Sequence, residues 1–284
     1  MKYAIINGEV VQYDEAKLHI SDLGLRRGYA VFEFFRIVRG VPLFIDDHLA
    51  RLARSAALAD LPLPHSAAQF KALIERLIHR NHAQDAAMQL IVTGGYAEDG
   101  FSVTAPNLIV TPVAVEALPE RCHRHGVALM SHRHVRELPE AKSTAYLTAL
   151  ALARQMRAQG AIDIVYYDDA RVYEASRSGL AFITKGVFVT ASERVLESVT
   201  MKRLLPLARA YMPVEARSYT LAELLSADEV LITGAIRGVL LVTHIDDCVI
   251  GGGVIGPHGQ ALRAAFEAQV ASYVNRRARI GEEE

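Results

Sequence analysis

Cysteine is nearly absent from this chain. Cys122 and Cys248 are the only two in 284 residues, which excludes a disulfide framework and fits a reducing cytoplasm. Net charge is nearly absent as well: a formal charge of -1 and a pI near 6.8 leave no excess of one sign for nucleic acid or an anionic membrane surface. No run of 18 or more apolar residues occurs, so no membrane-spanning helix is expected. The opening Met1-Lys2-Tyr3-Ala4-Ile5-Ile6-Asn7-Gly8 reads as a strand and a turn, not a signal peptide. Internal repeats and low-complexity tracts are missing apart from the charged tail Glu282-Glu283-Glu284.

Three further absences remove function classes. His123-x-His125 and His132-x-His134 would each share a strand face, but no carboxylate or cysteine set completes a ligand sphere. Arg124, Arg133 and Arg136 would repel a dication, so no metal is expected. Gly251-Gly252-Gly253-Val254-Ile255-Gly256 satisfies G-x-G-x-x-G, yet it precedes Pro257 and the last helix, so it reads as a loop. Ser176 and Ser178 lack a G-x-S-x-G context, which argues against a hydrolase nucleophile.

What is present is an ordinary globular composition, 51% hydrophobic and 22% charged, with length for two domains. Residues 1–114 read as an α/β unit. It has a hairpin at Asn7-Gly8, a long strand through Val31 to Arg36, helices near 46–60 and 67–82, and strands near 87–94 and 107–113. The Pro- and Glu-containing stretch 115–121 reads as a linker, and residues 122–284 as a second α/β unit. There, Ala161 to Tyr167 is a β-branched and aromatic strand. A turn at Asp168 to Arg171 follows, then a short strand ending at Glu174 among small residues.

Only six lysines occur, and one stands out. Lys142 follows Pro139 and heads the apolar run Tyr146, Leu147, Leu150, Ala151 and Ala153, which predicts an amphipathic helix stopped by Gly160. A lysine in a first helical turn meets the positive end of the macrodipole, which favours its neutral amine, the form that Schiff-base chemistry needs. A solvated lysine at a helix start is the competing reading. Downstream, a carboxylate at Glu174 is the group that keeps a pyridine nitrogen protonated.

These segments, with Ser21-Asp22-Leu23-Gly24-Leu25-Arg26-Arg27-Gly28-Tyr29 through Arg36 and Asp47-His48-Leu49-Ala50-Arg51-Leu52, resemble the fold-type IV enzymes that depend on pyridoxal 5'-phosphate (PLP). That family contains D-amino acid transaminases, branched-chain aminotransferases and aminodeoxychorismate lyases. The resemblance runs along essentially the whole chain. It implies a small N-terminal α/β domain, a larger C-terminal pseudo-barrel α/β domain, and a homodimer.

It also implies roles. Lys142 would form the Schiff base and shuttle the proton, Glu174 would bind the pyridinium nitrogen, Tyr146 the phenolic oxygen, and Arg51 the phosphate. Asp46 is expected to cap the Arg51 helix. Further phosphate contacts would come from Val199 and Thr200 at a helix N-terminus and from the backbone of Gly234 and Ala235. Ser198, Met201 and Ala235 replace the family's usual glycine, arginine and threonine there, so cofactor affinity is expected to be modest. Arg27, Arg177 and Arg36 are candidate ligands for a substrate carboxylate, since arginine binds carboxylates bidentately. Arg237 lies on the loop beside the phosphate. The combination of Arg27-Gly28-Tyr29 with Glu174-x-x-Arg177 looks most like a less common branch of D-amino acid transaminases, acting on D-alanine and D-glutamate with a 2-keto acid. A branched-chain L-aminotransferase remains the alternative on Phe32, Glu33, Arg36 and Tyr146. The lyase is weakened by Glu33-Phe34-Phe35, where it commonly has threonines.

Overall fold

A computed structural model describes residues 1–283, with side chains through residue 278; the closing Glu284 lies outside the described residues. The chain divides into two compact units. The first contains Met1–Glu116, Glu140–Ala145 and Ala271–Glu284, and the second Ala117–Pro139 and Tyr146–Val270.

The first unit is built from β1 (Tyr3–Ile6), β2 (Glu9–Gln12), α1 (Leu23–Arg27), β3 (Ala30–Val38), β4 (Val41–Pro42), α2 (Ile45–Leu58), α3 (Ala67–Asn81), β5 (Asp85–Thr93) and β6 (Asn107–Val113). Its six strands form an antiparallel sheet in the order β2-β1-β6-β5-β3-β4. Strand β3 alternates strictly. Val31, Glu33, Phe35 and Ile37 are buried, while Phe32, Phe34, Arg36 and Val38 are half-buried. Leu49, Leu52 and Ala56 of α2 form the expected apolar stripe and share a core with Phe35, Ile37, Ile74 and Leu77. Full burial of a side chain such as Phe35 contributes about 2–3 kcal/mol. Asp46 does not cap α2. Phe44 holds the N-cap in a left-handed conformation, and exposed Asp46 in the first turn pairs with Lys71 and Arg277.

The segment around Lys142 also departs from expectation. Helix α5 starts only at Leu147, so the macrodipole argument does not apply to Lys142. The cause is an open strand edge. The two-residue β4 pairs with Ile37 and Val38 alone, leaving the first half of β3 uncovered on that side. Residues 142–144 fill it: Phe32 N–H donates to Lys142 O at 2.9 Å, and Thr144 N–H donates to Ala30 O at 3.1 Å. Bonding this backbone to β3 keeps it extended and delays the helix.

The second unit contains α4 (Glu120–Arg124), β7 (Val127–Arg133), α5 (Leu147–Ala158), β8 (Ala161–Tyr167), β9 (Val172–Ala175), β10 (Gly179–Thr184), β11 (Val187–Thr190), α6 (Val199–Tyr211), β12 (Val214–Ala216), α7 (Leu221–Leu225), β13 (Glu229–Gly234), β14 (Gly238–Ile245), β15 (Cys248–Val249) and the start of α8 (Pro257–Glu283). Its mixed sheet runs β12-β11-β10-β13-β14-β7-β8-β9, with β15 on β14. Four strands separate β9 from β10 in this order, yet only residues 176–178 join them. So short a connection forces the sheet to curl into a half-barrel, the pseudo-barrel expected of the C-terminal domain. Leu180, Phe182, Val230, Ile232, Leu240 and Val242 fill its core. The glycine-rich run forms a short 3-10 turn at Gly251–Gly253, and Pro257 opens α8. Buried Glu229 accepts the His258 and Gly259 N–H groups at 3.1 and 2.6 Å, placing a carboxylate on that helix start. On α5, Leu147 and Leu150 are 82% and 72% exposed, so the stripe predicted to be buried faces outward instead. Among the described residues, no helix is long and apolar enough to cross a membrane.

One buried carboxylate ties the first unit's loops to its sheet. Asp22 accepts the Gly24 N–H at 2.8 Å, capping α1, and also accepts Thr93 Oγ1 and Asn107 Nδ2 at 2.7 Å each. Asp22→Ala orphans all three donors and is expected to lower the unfolding free energy by about 3 kcal/mol. Urea denaturation checks this; a loss below about 1 kcal/mol would show that Asp22 does not organise the region.

Candidate active site

The first unit carries the lysine. Lys142 is fixed through its backbone: its N–H donates to the buried Ser55 Oγ at 3.0 Å, and its carbonyl accepts from Phe32. Its Nζ lies 4.4 Å from the centroid of the Phe32 ring, over the π face. On the opposite face of β3, Glu33 is fully buried between two residues of α2. Arg51 grips it with a fork, Nε to Oε1 and Nη2 to Oε2 at 2.8 Å each, and His48 Nδ1 lies 2.6 Å from Oε2. Burial alone would push the Glu33 carboxyl up. The charge and hydrogen bonds of Arg51, with help from His48, outweigh it and hold Glu33 at about 2. Burial pushes His48 below its ordinary 6.5, more than Glu33 draws it up, and the charges of Arg51 and Lys142 add to the fall. A neutral His48 must then carry its proton on Nδ1 to donate to Glu33. Sequence reading passed over Glu33 and His48 as a unit; an acidic residue on the inward face of an apolar strand was the available signal.

The candidate arginines separate. Arg51 is buried within α2 with Glu33. Arg36, expected as a carboxylate ligand, instead pairs with Asp85 on β5 at 3.0 Å, because the two lie diagonally on one face of the sheet. Arg27 ends α1, exposed, with Nε donating to Gly100 O at 3.2 Å; Gly28 behind it closes the helix at φ 66°.

The second unit carries the carboxylate. Glu174 is buried on β9. Its Oε1 accepts from Arg136 Nη1 at 2.7 Å, and its Oε2 from the Leu196 N–H at 3.2 Å. In the sequence Arg136 shows only as a cation that would repel a metal. Its pairing with a residue 38 positions away is set by the fold, and no local pattern announces it. Tyr146 is the N-cap of α5. Buried Tyr166 is pushed up to about 12 by burial and then by the charge of Asp163, and it also senses Arg136, Tyr146 and Glu174. Arg177 is exposed, with Nη2 donating to Ile162 O at 2.6 Å.

Helix α6 begins at Ser198, whose Oγ accepts the Met201 N–H at 3.2 Å. The N–H groups of Val199 and Thr200 have no acceptor among the described residues, and no acidic side chain stands in the first turn. Ser198 Oγ and the buried Thr233 Oγ1 are 3.3 Å apart. Gly179 lies against them so closely that a Cβ there would meet Thr233 Oγ1 at 2.8 Å. Thr233, two residues before Ala235, thus puts a hydroxyl beside this helix start. Gly234 pairs with Gly238, which puts Ala235 in a three-residue turn. Among the described residues, no group of three His, Cys, Asp or Glu side chains could hold a metal.

A backbone-fixed lysine in the first unit and, in the second, a half-barrel with a buried carboxylate and an open helix N-terminus are features of one class. Residues 30–245 match the family described as amino-transferase class IV, and the chain belongs to it: a PLP-dependent enzyme of fold type IV. The D-alanine aminotransferase of Bacillus licheniformis is 28% identical over 276 residues, covering 94% of this chain and 97% of its own. That of Staphylococcus aureus strain N315 is 26% identical over 280 residues, with 96% and 99% covered. In fold, the branched-chain amino acid aminotransferase of Escherichia coli superposes with a TM-score of 0.87 at 23% identity, over 95% of this chain and 94% of its own. A hypothetical aminotransferase from Mycobacterium tuberculosis, in an alpha-ketoglutarate and PMP bound form, gives 0.83 at 24% identity, over 95% and 99%.

The donor set fits PLP. A helix N-terminus with free N–H groups, two hydroxyls and no acid suits a phosphate. A buried carboxylate paired with Arg136 is the type of group that suits a protonated ring nitrogen.

The buried Glu33–His48 pair has a signature in stability. Below pH 6.5, unfolded His48 takes up a proton that the folded side chain refuses, so stability falls with pH there. Glu33 stabilises the fold above its unfolded value of 4.5, and that contribution is lost as pH falls through about 2. His48→Gln keeps a donor to Glu33 and is expected to flatten the pH 7 to 5 limb relative to wild type, by up to about one proton. Chemical denaturation across that range checks it; superimposable slopes would mean His48 titrates normally in the fold.

Proposed function

We propose that the protein transfers an amino group between a D-amino acid of the D-alanine or D-glutamate type and a 2-keto acid. The observation carrying this reading is the end-to-end match to D-alanine aminotransferases, 28% identical across nearly the full length of both chains. When bound, PLP supplies an aldehyde that accepts the amino group and a protonated ring that takes up the electron pair of the Cα–H bond. Everything else falls to this chain's residues.

In this proposal Lys142 is the catalytic residue. Its Nζ anchors the cofactor and, once displaced by the substrate amine, moves the proton. Its backbone, fixed by Ser55 and Phe32, gives that amine a defined origin. Glu174, paired with Arg136, holds the proton on the ring nitrogen. Tyr146 donates to the ring oxygen. Arg51, the N–H groups of Val199 and Thr200, and the backbone of Gly234 and Ala235 hold the phosphate. Arg27 and Arg177 are the substrate-carboxylate ligands. Both are exposed, and each bonds to a main-chain carbonyl, Gly100 O or Ile162 O, that leaves other guanidinium N–H groups to bind an anion. Arg36 leaves the set because Asp85 engages it. The proposal includes a homodimer, for which exposed Leu147 and Leu150 offer apolar surface, and a cytoplasmic location, in keeping with two free thiols.

The purified holoenzyme, mixed without keto acid with D-alanine, D-glutamate, L-leucine or L-glutamate, is expected to lose its visible cofactor band with the D-substrates only. Loss with L-leucine and L-glutamate instead would move it to the branched-chain class. Lys142→Ala should abolish turnover. Arg27→Ala and Arg177→Ala are each expected to raise KM for D-glutamate by roughly 10–100-fold, the loss of one charge-assisted contact or more. Unchanged kinetics in both would remove the arginines from the substrate site.

A further inference from the structure

Beneath Arg177 lies a carboxylate that the proposed chemistry leaves unused. Asp163, on β8, is fully buried. Its Oδ1 accepts Ser176 Oγ at 2.6 Å, the Ile164 N–H at 2.9 Å and the Arg177 N–H at 3.3 Å. Its Oδ2 accepts Ser178 Oγ at 2.7 Å and faces Arg237 Nη1 at 3.7 Å. One acid therefore anchors the whole 176–178 connection between β9 and β10 and reaches the turn between β13 and β14.

The charges around it do not balance. Arg177 and Arg237 both donate to the Ile162 carbonyl, at 2.6 and 3.4 Å, which brings two guanidinium groups to one acceptor. Arg237 is held below its ordinary range by burial first and by the charge of Arg177 second. Among the described residues Asp163 is the only acid paired with Arg237, and no acid pairs with Arg177. Asp163 already accepts four hydrogen bonds, so its single charge faces two cations. Like charges held together in a half-buried place are unfavourable until an anion joins them. Two guanidinium groups gathered at one carbonyl, with one carboxylate between them, are placed to receive an anionic group.

We propose that Asp163 is a positioning residue for the reaction, setting Arg177 and Arg237 as a pair for the anionic group of the incoming substrate without touching it. The inference rests on Arg177 serving as a carboxylate ligand in a transaminase. It adds Arg237 as the second cation and names the group that orients both. Ser176 and Ser178, dismissed as nucleophiles, become the tethers through which Asp163 acts.

Asp163→Asn keeps the size and the acceptor facing Ser176, but removes the charge and turns an NH₂ group toward Arg237. In the holoenzyme this variant is expected to raise KM for the amino acid about tenfold, with kcat within about twofold. Hydrogen exchange at residues 176–179, measured without substrate, is expected to quicken. Arg237→Gln should raise KM similarly without quickening exchange. Should Asp163→Asn fail to fold, Ser176→Ala with Ser178→Ala supplies the same readouts, with a smaller rise in KM expected. Faster exchange with unchanged KM would overturn the positioning role alone. No turnover of any amino acid by the wild type would overturn the functional reading and this role with it.

Discussion

The first unit depends on one unfinished strand edge. Strand β3 is nine residues long but β4 covers only its last two positions, and unpaired backbone on a buried strand is costly. The chain answers with residues 142–144, brought from more than a hundred positions away. That choice fixes where the lysine sits, keeps its segment out of α5, and seats its backbone N–H on Ser55. A requirement of sheet completion thereby becomes the device that holds the backbone of Lys142. The rigidity of the strand passes to Lys142 through main-chain hydrogen bonds, which no side-chain rotamer can relax.

Burial organises charge differently in the two units. Behind β3, one carboxylate is compensated by an arginine fork and a histidine, Arg51 and His48 on Glu33. In the half-barrel, Glu174 is balanced by Arg136, whereas Asp163 is outnumbered by arginines. The same local rule, that a buried charge must find its partner, acts in both units.

Much of this was legible in the residues. The alternation of β3, the stripe of α2, the strand from Ala161 to Tyr167 and the Pro257 helix start all follow from period and turn chemistry, and the structure has them where the pattern puts them. The family was legible from the order and spacing of its segments. What escaped has a common cause. The non-local partners of Glu174, Asp163 and Lys142 lie 13 to 110 positions away and meet only when the chain folds. The apolar run after Lys142 was misread because Leu147 and Leu150 imitate a core face while pointing outward. Arg36 offers no sign in its own neighbourhood of Asp85, which lies diagonally opposite it on the adjacent strand β5.

The curl of the second sheet also has a consequence for how the chain reaches this state. The β9–β10 connection and the β13–β14 hairpin close over three residues each and form locally. Joining β14 to β7 in parallel must bring Val242 to Val127, a loop spanning most of the unit. The half-barrel is therefore assembled as two arcs, β10–β13–β14 with β11 and β7–β8–β9, and its slow step is the seam between them. Pulsed hydrogen exchange should find amides at that seam protected last. Because residues 176–178 belong to both arcs, the turn held by Asp163 is the hinge about which the arcs first swing together.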